Sequence, residues 1–318
     1  MISVPEAAAI RCVGLRKNYG TLVALKGLDL SVPTGSIFGL LGPNGAGKST
    51  TMKLLTRQIA PTSGHAWVAG VSLSGDVRQR IGYLSEAPAF YAWMTGREFL
   101  DFTGELFQLR PSVRRARRDE LLALVGLSGA ARRKIGGYSH GMRQRLGIAQ
   151  ALMNQPEVLF LDEPVSALDP IGRKEILELL ANLKGTSTVF FSSHILADVD
   201  RICDEIAILH HGEMLVQAPT QALKEHYAQP IIEVELEVEA SVLVDLLKPE
   251  SYVQHVEVEG TRARIRVNDL AHAKRCLPTC LVNAHLPLLR YEVALPTLED
   301  VFVRLIDGEI RTTAGGKQ

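Results

Sequence analysis

The chain is poor in cysteine, balanced in charge and without a long hydrophobic run, and each shortfall removes a class of protein. Four cysteines in 318 residues are too few for a disulfide scaffold. Cys276 and Cys280 flank Pro278 with no second pair. His272, four residues before Cys276, still leaves the set short of the four ligands of a structural zinc site, so these side chains read as reduced, partly buried thiols. Lys and Arg total 35 and Asp and Glu total 35, which leaves no basic excess for coating nucleic acid. The longest apolar runs, such as 37–41 and 158–161, fall far below the ~20 residues that cross a bilayer. The opening MISVPEAAAI has no Lys or Arg ahead of an apolar block and sets Glu6 where an export signal needs its hydrophobic centre. The chain is therefore expected to stay in the cytosol.

What is present is ordinary for a globular protein: 46% hydrophobic and 22% charged residues, in a length that suggests about two domains. Residues 10–19 and 22–32 read as antiparallel strands broken at Gly20, and 64–71 as another hairpin arm. The run 36–41 leads into glycines and then a helical pattern at Met52, Leu54, Leu55 and Ile59, giving strand, glycine loop, helix. Further apolar strands at 158–161 and 188–192 each follow a helical stretch, which predicts a parallel sheet with crossover helices. Between them, 96–153 reads as almost wholly helical, with an apolar stripe at Phe99, Phe102, Leu106 and Leu109. From 231 the pattern changes to strand, helix, two strands, helix (270–277) and strand, a βαββαβ order that predicts a ferredoxin-like module. A last helix is expected at 298–306. No catalytic constellation is visible in this module, whose alternating Glu233, Glu235, Glu237 and Glu239 suggest a wet sheet face; dimer contact and regulation are both open roles.

Gly42-Pro43-Asn44-Gly45-Ala46-Gly47-Lys48-Ser49-Thr50 fits the phosphate-binding pattern GxxxxGK(S/T), and its strand and helix flanks are the context that pattern requires. Backbone N–H groups of such a loop turn around phosphate oxygens, aided by the helix N-terminus. Lys48 can then reach the β and γ phosphates while Ser49 offers its hydroxyl to Mg²⁺. The apolar strand Val158-Leu159-Phe160-Leu161 ends in Asp162 and Glu163, with Asp162 placed as a Mg²⁺ partner and Glu163 as general base for an attacking water.

Tyr138-Ser139-His140-Gly141-Met142-Arg143-Gln144-Arg145, shortly before the carboxylate strand, resembles the signature of the ABC ATPases. The resemblance runs from residue 10 to about 220 and takes in the phosphate loop, the LDEP strand, Ser166-Ala167-Leu168-Asp169 and Ser192-Ser193-His194. It implies that ATP is sandwiched between two copies of the domain. Ser139 and Gly141 would contact the γ phosphate held by the other copy's Lys48, Asp169 would line the dimer seam, His194 would sense the γ phosphate and Tyr19 would stack on adenine. Tyr19 also reads as a half-buried strand residue, His194 as a core histidine, and His210 and His211 as turn residues. Three positions depart from the family pattern: His140 and Met142 in the signature, and Glu86 where most relatives have Gln, which leaves a Mg²⁺ contact through water.

The tyrosine-led signature, Glu86 and the module ending Pro296-Thr297-Leu298-Glu299-Asp300-Val301-Phe302 resemble the ATPase subunits of type-2 ABC exporters of the DrrA/NatA kind. The implied protein is an α/β P-loop NTPase core with an antiparallel β subdomain and a helical subdomain, plus the ferredoxin-like α+β module. Residues 1–222 would form the ABC ATPase, with helical insertion at about 88–153, followed by an accessory domain at 230–308 and a tail at 309–318. Its implied partners are a second ATPase copy and a separate transmembrane permease, with no nucleic acid, and its place is the cytoplasmic face of the membrane. Six aromatic residues crowd between Phe90 and Phe107; Phe90, Tyr91, Trp93 and Met94 suggest either a groove for a permease helix or subdomain packing. The run Arg114, Arg115, Arg117 and Arg118 reads as a solvated helix face, with lipid contact as the alternative. A soluble ABC protein, and a nucleotide-dependent regulator with little turnover, stand as competing functions.

Overall fold

The computed structural model describes residues 8–166, 168–227, 230–294, 297–302 and 305; the tail and the end of the last expected helix lie outside them. The chain divides into two compact units, Met1–Thr220 and Gln221–Gln318.

In the first unit, β1 (Ala8–Tyr19) and β2 (Leu22–Pro33) pair antiparallel. β3 (Ile37–Leu41), buried along its whole length, leads through the glycine loop into α1 (Lys48–Leu55). β4 (Ser63–Val68) and β5 (Val71–Ser72) extend the first sheet in the order β2-β1-β4-β5. β6 (Ile81–Leu84) then enters the central sheet. α2 (Gly96–Leu106) starts in a capping box in which Thr95 and Glu98 satisfy each other's backbone N–H groups. α3 (Pro111–Leu124) starts on a proline, whose missing N–H costs nothing in a first turn. Short turns lead to α4 (His140–Ala151), capped by Ser139. β7 (Val158–Asp162), α5 (Pro170–Ala181), β8 (Thr188–Ser193), α6 (Leu196–Ile202), β9 (Glu205–His210) and β10 (Glu213–Pro219) complete the unit.

The central sheet runs β10-β9-β3-β8-β7-β6, parallel except for β10. β3, β7 and β8 are buried at every position, as expected of strands covered on both faces. Phe38 stacks on Phe190, and Phe160 meets Phe190 edge-on. The same core takes in Ile10, Leu28 and Val68 of the antiparallel sheet and Met52, Leu54 and Leu55 of α1.

After α7 (Thr220–Tyr227), the second unit comprises β11 (Ile231–Leu236), α8 (Val242–Leu247), β12 (Val253–Glu259), β13 (Arg262–Val267), α9 (Leu270–Asn283) and β14 (Leu288–Ala294). Its antiparallel sheet has the order β12-β13-β11-β14, so the βαββαβ chain places its first strand between its third and last, as in a ferredoxin-like module.

Four expectations are corrected. The apolar stripe fails at its end: Phe99 and Leu100 are buried, but Leu106 is 66% exposed in the last turn of α2, and Leu109 lies beyond the helix. Of the arginines of α3 only Arg115 lies on a solvated face. Arg118 is buried against Asp101 and Asp119, Arg114 pairs with Asp101 and Glu105, and Arg117 reaches Glu120 and the Leu152 carbonyl. Pro278 does not stop α9, because Ala273, Leu277 and Leu281 form a buried stripe running past it, and that packing outweighs the lost N–H. β11 ends at Leu236, so only Glu233 and Glu235 of the glutamate series stand on the sheet, paired with Arg264 and Arg262.

Candidate functional site

Sheet order builds the site. β8 lies between β3 and β7, so the loops leaving the carboxyl ends of β3 and β7 flank the end of β8, the edge where ligands collect in such sheets.

The loop after β3 is clasped from outside. The Gly212 N–H, in the turn between β9 and β10, donates to the Ala46 carbonyl at 3.0 Å, and the Lys26 N–H donates to the Gly212 carbonyl at 2.8 Å. Lys48 is buried, with Nζ donating to the Gly42 carbonyl at 2.7 Å and lying 3.4 Å from Glu163 Oε1. Ser49 Oγ is 3.4 Å from Asp162 Oδ1.

The two carboxylates are neighbours in sequence with different surroundings. Asp162 is buried at the end of β7 and accepts from Ser192 Oγ at 2.6 Å. Glu163 has a φ of 50°; its N–H donates to the same Ser192 Oγ at 3.0 Å, and its Oε2 lies 2.9 Å from His194 Nδ1. Burial pushes the nearby Tyr83 phenol up; a hydrogen bond with Gln58 opposes this, and the charges of Asp162 and Glu86 add to it.

Tyr19, the loop residues Pro43, Asn44, Gly45, Ala46, Gly47, Lys48, Ser49 and Thr50, exposed Glu86, Glu163 and His194 all line one cleft of about 850 Å³. Tyr19 is 46% exposed at its rim, with Lys17 Nζ 5.1 Å from the ring centre. Asp162 lies beneath, joined to the cleft through Ser49. Ser139, Gly141 and Asp169 do not line it. Ser139 caps α4 by accepting the Met142 N–H, Gly141 lies in that helix's first turn, and Asp169 caps α5 by accepting the Gly172 N–H.

Several contributors carry no sequence assignment. Ser192 joins the Asp162 carboxylate to the Glu163 backbone N–H, and Gln144, buried in α4, donates from Nε2 to the Pro164 carbonyl at 2.8 Å, tying the signature helix to the carboxylate loop. Lys26, His211 and Gly212 also line the cleft. The His210-His211-Gly212 turn was the available signal for the last two; Ser192 and Gln144 stand inside quoted motifs that give them no role, and Lys26 has no local mark.

The chain matches the family model "ABC transporter" over residues 25–166 and "ATP-binding protein DrrA1-3-like, C-terminal domain" over 219–306. It is 39% identical to YxlF of Bacillus subtilis, an uncharacterized ABC transporter ATP-binding protein, over 92% of this chain and 97% of that one. It is 35% identical to the bacitracin transport ATP-binding protein BcrA of Bacillus licheniformis, covering 94% and 97%. It is also 35% identical to the daunorubicin resistance ATP-binding protein DrrA3 of Streptomyces coeruleorubidus, covering 95% and 97%. Among solved structures it is similar to an ATP-binding subunit of an ABC transporter, with TM-score 0.63 and 27% identity over 69% of this chain and 93% of the other. A dimeric bacterial ABC transporter cassette matches with TM-score 0.62 and 26% identity, over 66% and 98%.

Proposed function

The chain belongs to the ABC transporter ATP-binding proteins, and from that premise we propose how its residues divide the work. It is the ATP-binding and ATP-hydrolysing subunit of an exporter, paired with a second ATPase copy and powering a separate permease. The observation that carries the residue assignment is the split of the motifs: Tyr19, Lys48, Ser49, Glu163 and His194 share one cleft, whereas Ser139, Gly141 and Asp169 lie outside it.

Tyr19 stacks on adenine, and the loop N–H groups with Lys48 hold the phosphates. Glu163 accepts a proton from the water that attacks the γ phosphorus, as the bond to the ADP oxygen breaks. His194, bonded to Glu163 Oε2, orients that carboxylate and reads the γ phosphate. A second copy supplies Ser139 and Gly141 from the N-terminus of its α4, where the helix dipole favours phosphate charge; Asp169 lines the seam.

Ser49 and Asp162 would hold Mg²⁺, since they offer hard oxygen donors 3.4 Å apart, and Glu86, which lines the same cleft, would act on it through water. Mg²⁺ held there neutralises phosphate charge. Among the described residues no helix is long and apolar enough to cross a membrane, in keeping with a subunit held at the cytoplasmic face by its permease.

Replacing Glu163 with glutamine keeps shape and removes the base. Turnover should fall by about 10²–10⁴-fold while ATP still binds and a dimer accumulates on size-exclusion chromatography. Undiminished phosphate release from the purified variant would refute the assignment.

A further inference from the structure

β8 ends in Ser192, Ser193 and His194, between the phosphate loop and the carboxylate strand. Ser192 is fully buried, and its only hydroxyl proton is committed to Asp162 Oδ1 at 2.6 Å. A hydroxyl that gives its proton still accepts through its lone pairs, and the Glu163 N–H fills that role at 3.0 Å. One oxygen thus holds the side chain of one carboxylate residue and the backbone of the next.

The second bond falls where the backbone most needs holding. Successive residues of an extended strand point to opposite faces, which would send the Asp162 and Glu163 side chains apart. Glu163 instead adopts the left-handed φ of 50°, a region that a residue with a side chain keeps only when its surroundings impose it. Turned this way, its carboxylate meets Lys48 at 3.4 Å and His194 at 2.9 Å, inside the cleft. Ser166 Oγ, which donates to the Glu163 carbonyl at 3.2 Å, holds the other side of the turn.

We propose that Ser192 is a positioning residue for ATP hydrolysis: its hydroxyl clamps the left-handed turn at Glu163 and the orientation of Asp162, keeping base and metal-facing carboxylate in register. The proposal rests on Glu163 being the general base. Ser192 is buried beneath the cleft and does not line it, so its effect passes through its neighbours.

The test uses the full chain with Ser192→Ala, Ser192→Thr, Ser192→Cys, Glu163→Gln and the Ser192→Ala/Glu163→Gln double variant. Phosphate release is measured against ATP concentration, with nucleotide binding and thermal midpoint for each variant. Ser192→Ala should lower kcat by about 10- to 100-fold, the scale of a base displaced by a fraction of an ångström to 1 Å, with KM for ATP changed by less than about threefold. Ser192→Thr keeps the oxygen and should restore kcat to within about threefold of the parent. Ser192→Cys, similar in size with a weak S–H donor, should lose kcat as alanine does and serves if the alanine variant does not fold. In the Glu163→Gln background Ser192→Ala should cost clearly less than in the parent, what remains passing through Asp162, since residues acting as a unit are not additive. A merely structural role would instead lower the nucleotide-binding fraction and cost the same factor in both backgrounds, and either result overturns the proposal. An unchanged kcat for Ser192→Ala beside a collapsed kcat for Glu163→Gln overturns it alone. Undiminished hydrolysis by Glu163→Gln overturns the general-base assignment as well.

Discussion

Alanine at Gly42 should damage the phosphate loop far more than alanine at Gly45, three residues on. Gly42 has a φ of 154°, and a Cβ there would lie 2.3 Å from the Leu209 carbonyl oxygen and 2.9 Å from Ala46 Cβ. The first gap is about 1 Å short of an ordinary carbon–oxygen contact of ~3.3 Å. Neither obstacle can turn away, since Leu209 O is backbone of β9 and the Ala46 carbonyl is held by Gly212. The backbone conformation costs ~1–3 kcal/mol and the overpacking a further ~1–3 kcal/mol. At about 2–4 °C per kcal/mol for a unit of this size, the nucleotide-protected transition should drop by roughly 5–20 °C. Gly45 has a φ of 82° with nothing within 4 Å of its Cβ, so Gly45→Ala bears only the backbone cost, ~1–2 kcal/mol. Because Lys48 Nζ is anchored on the Gly42 carbonyl, only Gly42→Ala should also weaken binding of a fluorescent ATP analogue, by about tenfold or more, as a displaced binding group does. Calorimetry with and without ATP, beside a binding titration, measures both. Equal melting temperatures within about 2 °C for the two variants, a gap worth less than about 1 kcal/mol, would refute the contact cost derived from Leu209.

Tyr19→Ala should leave stability within ~0.5 kcal/mol, as exposed positions do, yet raise the Kd for ATP by about 5- to 150-fold, the ~1–3 kcal/mol of base stacking; an unchanged Kd removes the adenine contact. Trp93, 67% exposed and beside Tyr91, should tolerate Trp93→Ser with no shift in melting while permease co-purification falls; full recovery of the permease would place docking elsewhere. In the second unit, burial opposes ionisation of the Asp300 carboxyl, but the Thr297 amide and hydroxyl and the charges of Arg264 and Arg266 outweigh it and hold its pKa low. A carboxyl held low stabilises the fold fully above its unfolded value of about 4, and that stabilisation is lost as pH falls through the lower folded value. The stability gap between the parent and Asp300→Asn, measured by urea unfolding, should therefore shrink from about pH 5 to about pH 2, and a constant gap would contradict it.

What the sequence determined by itself was local and periodic. A glycine loop between an apolar strand and a helix can be read because strand run, loop spacing and helix start all lie within twenty residues of Lys48. The buried strands β3, β7 and β8 announce themselves because being covered on both faces demands unbroken apolar runs. The βαββαβ order of the second unit follows from alternation alone, and the signature before the carboxylate strand marks the family. What only the tertiary structure decided depends on neighbours distant in the chain. Arg114 and Arg118 of α3 look solvated until α2 brings Asp101 and Glu105 to them, and Pro278 looks like a helix end until Leu277 and Leu281 are packed. Ser192, thirty residues from Asp162, stands in the Ser192-Ser193-His194 motif, yet nothing in that motif tells what its hydroxyl holds. It acquires a place in the site because strand order sets β8 between β3 and β7, and hydrogen bonds act over ångströms of space, whatever the separation along the chain.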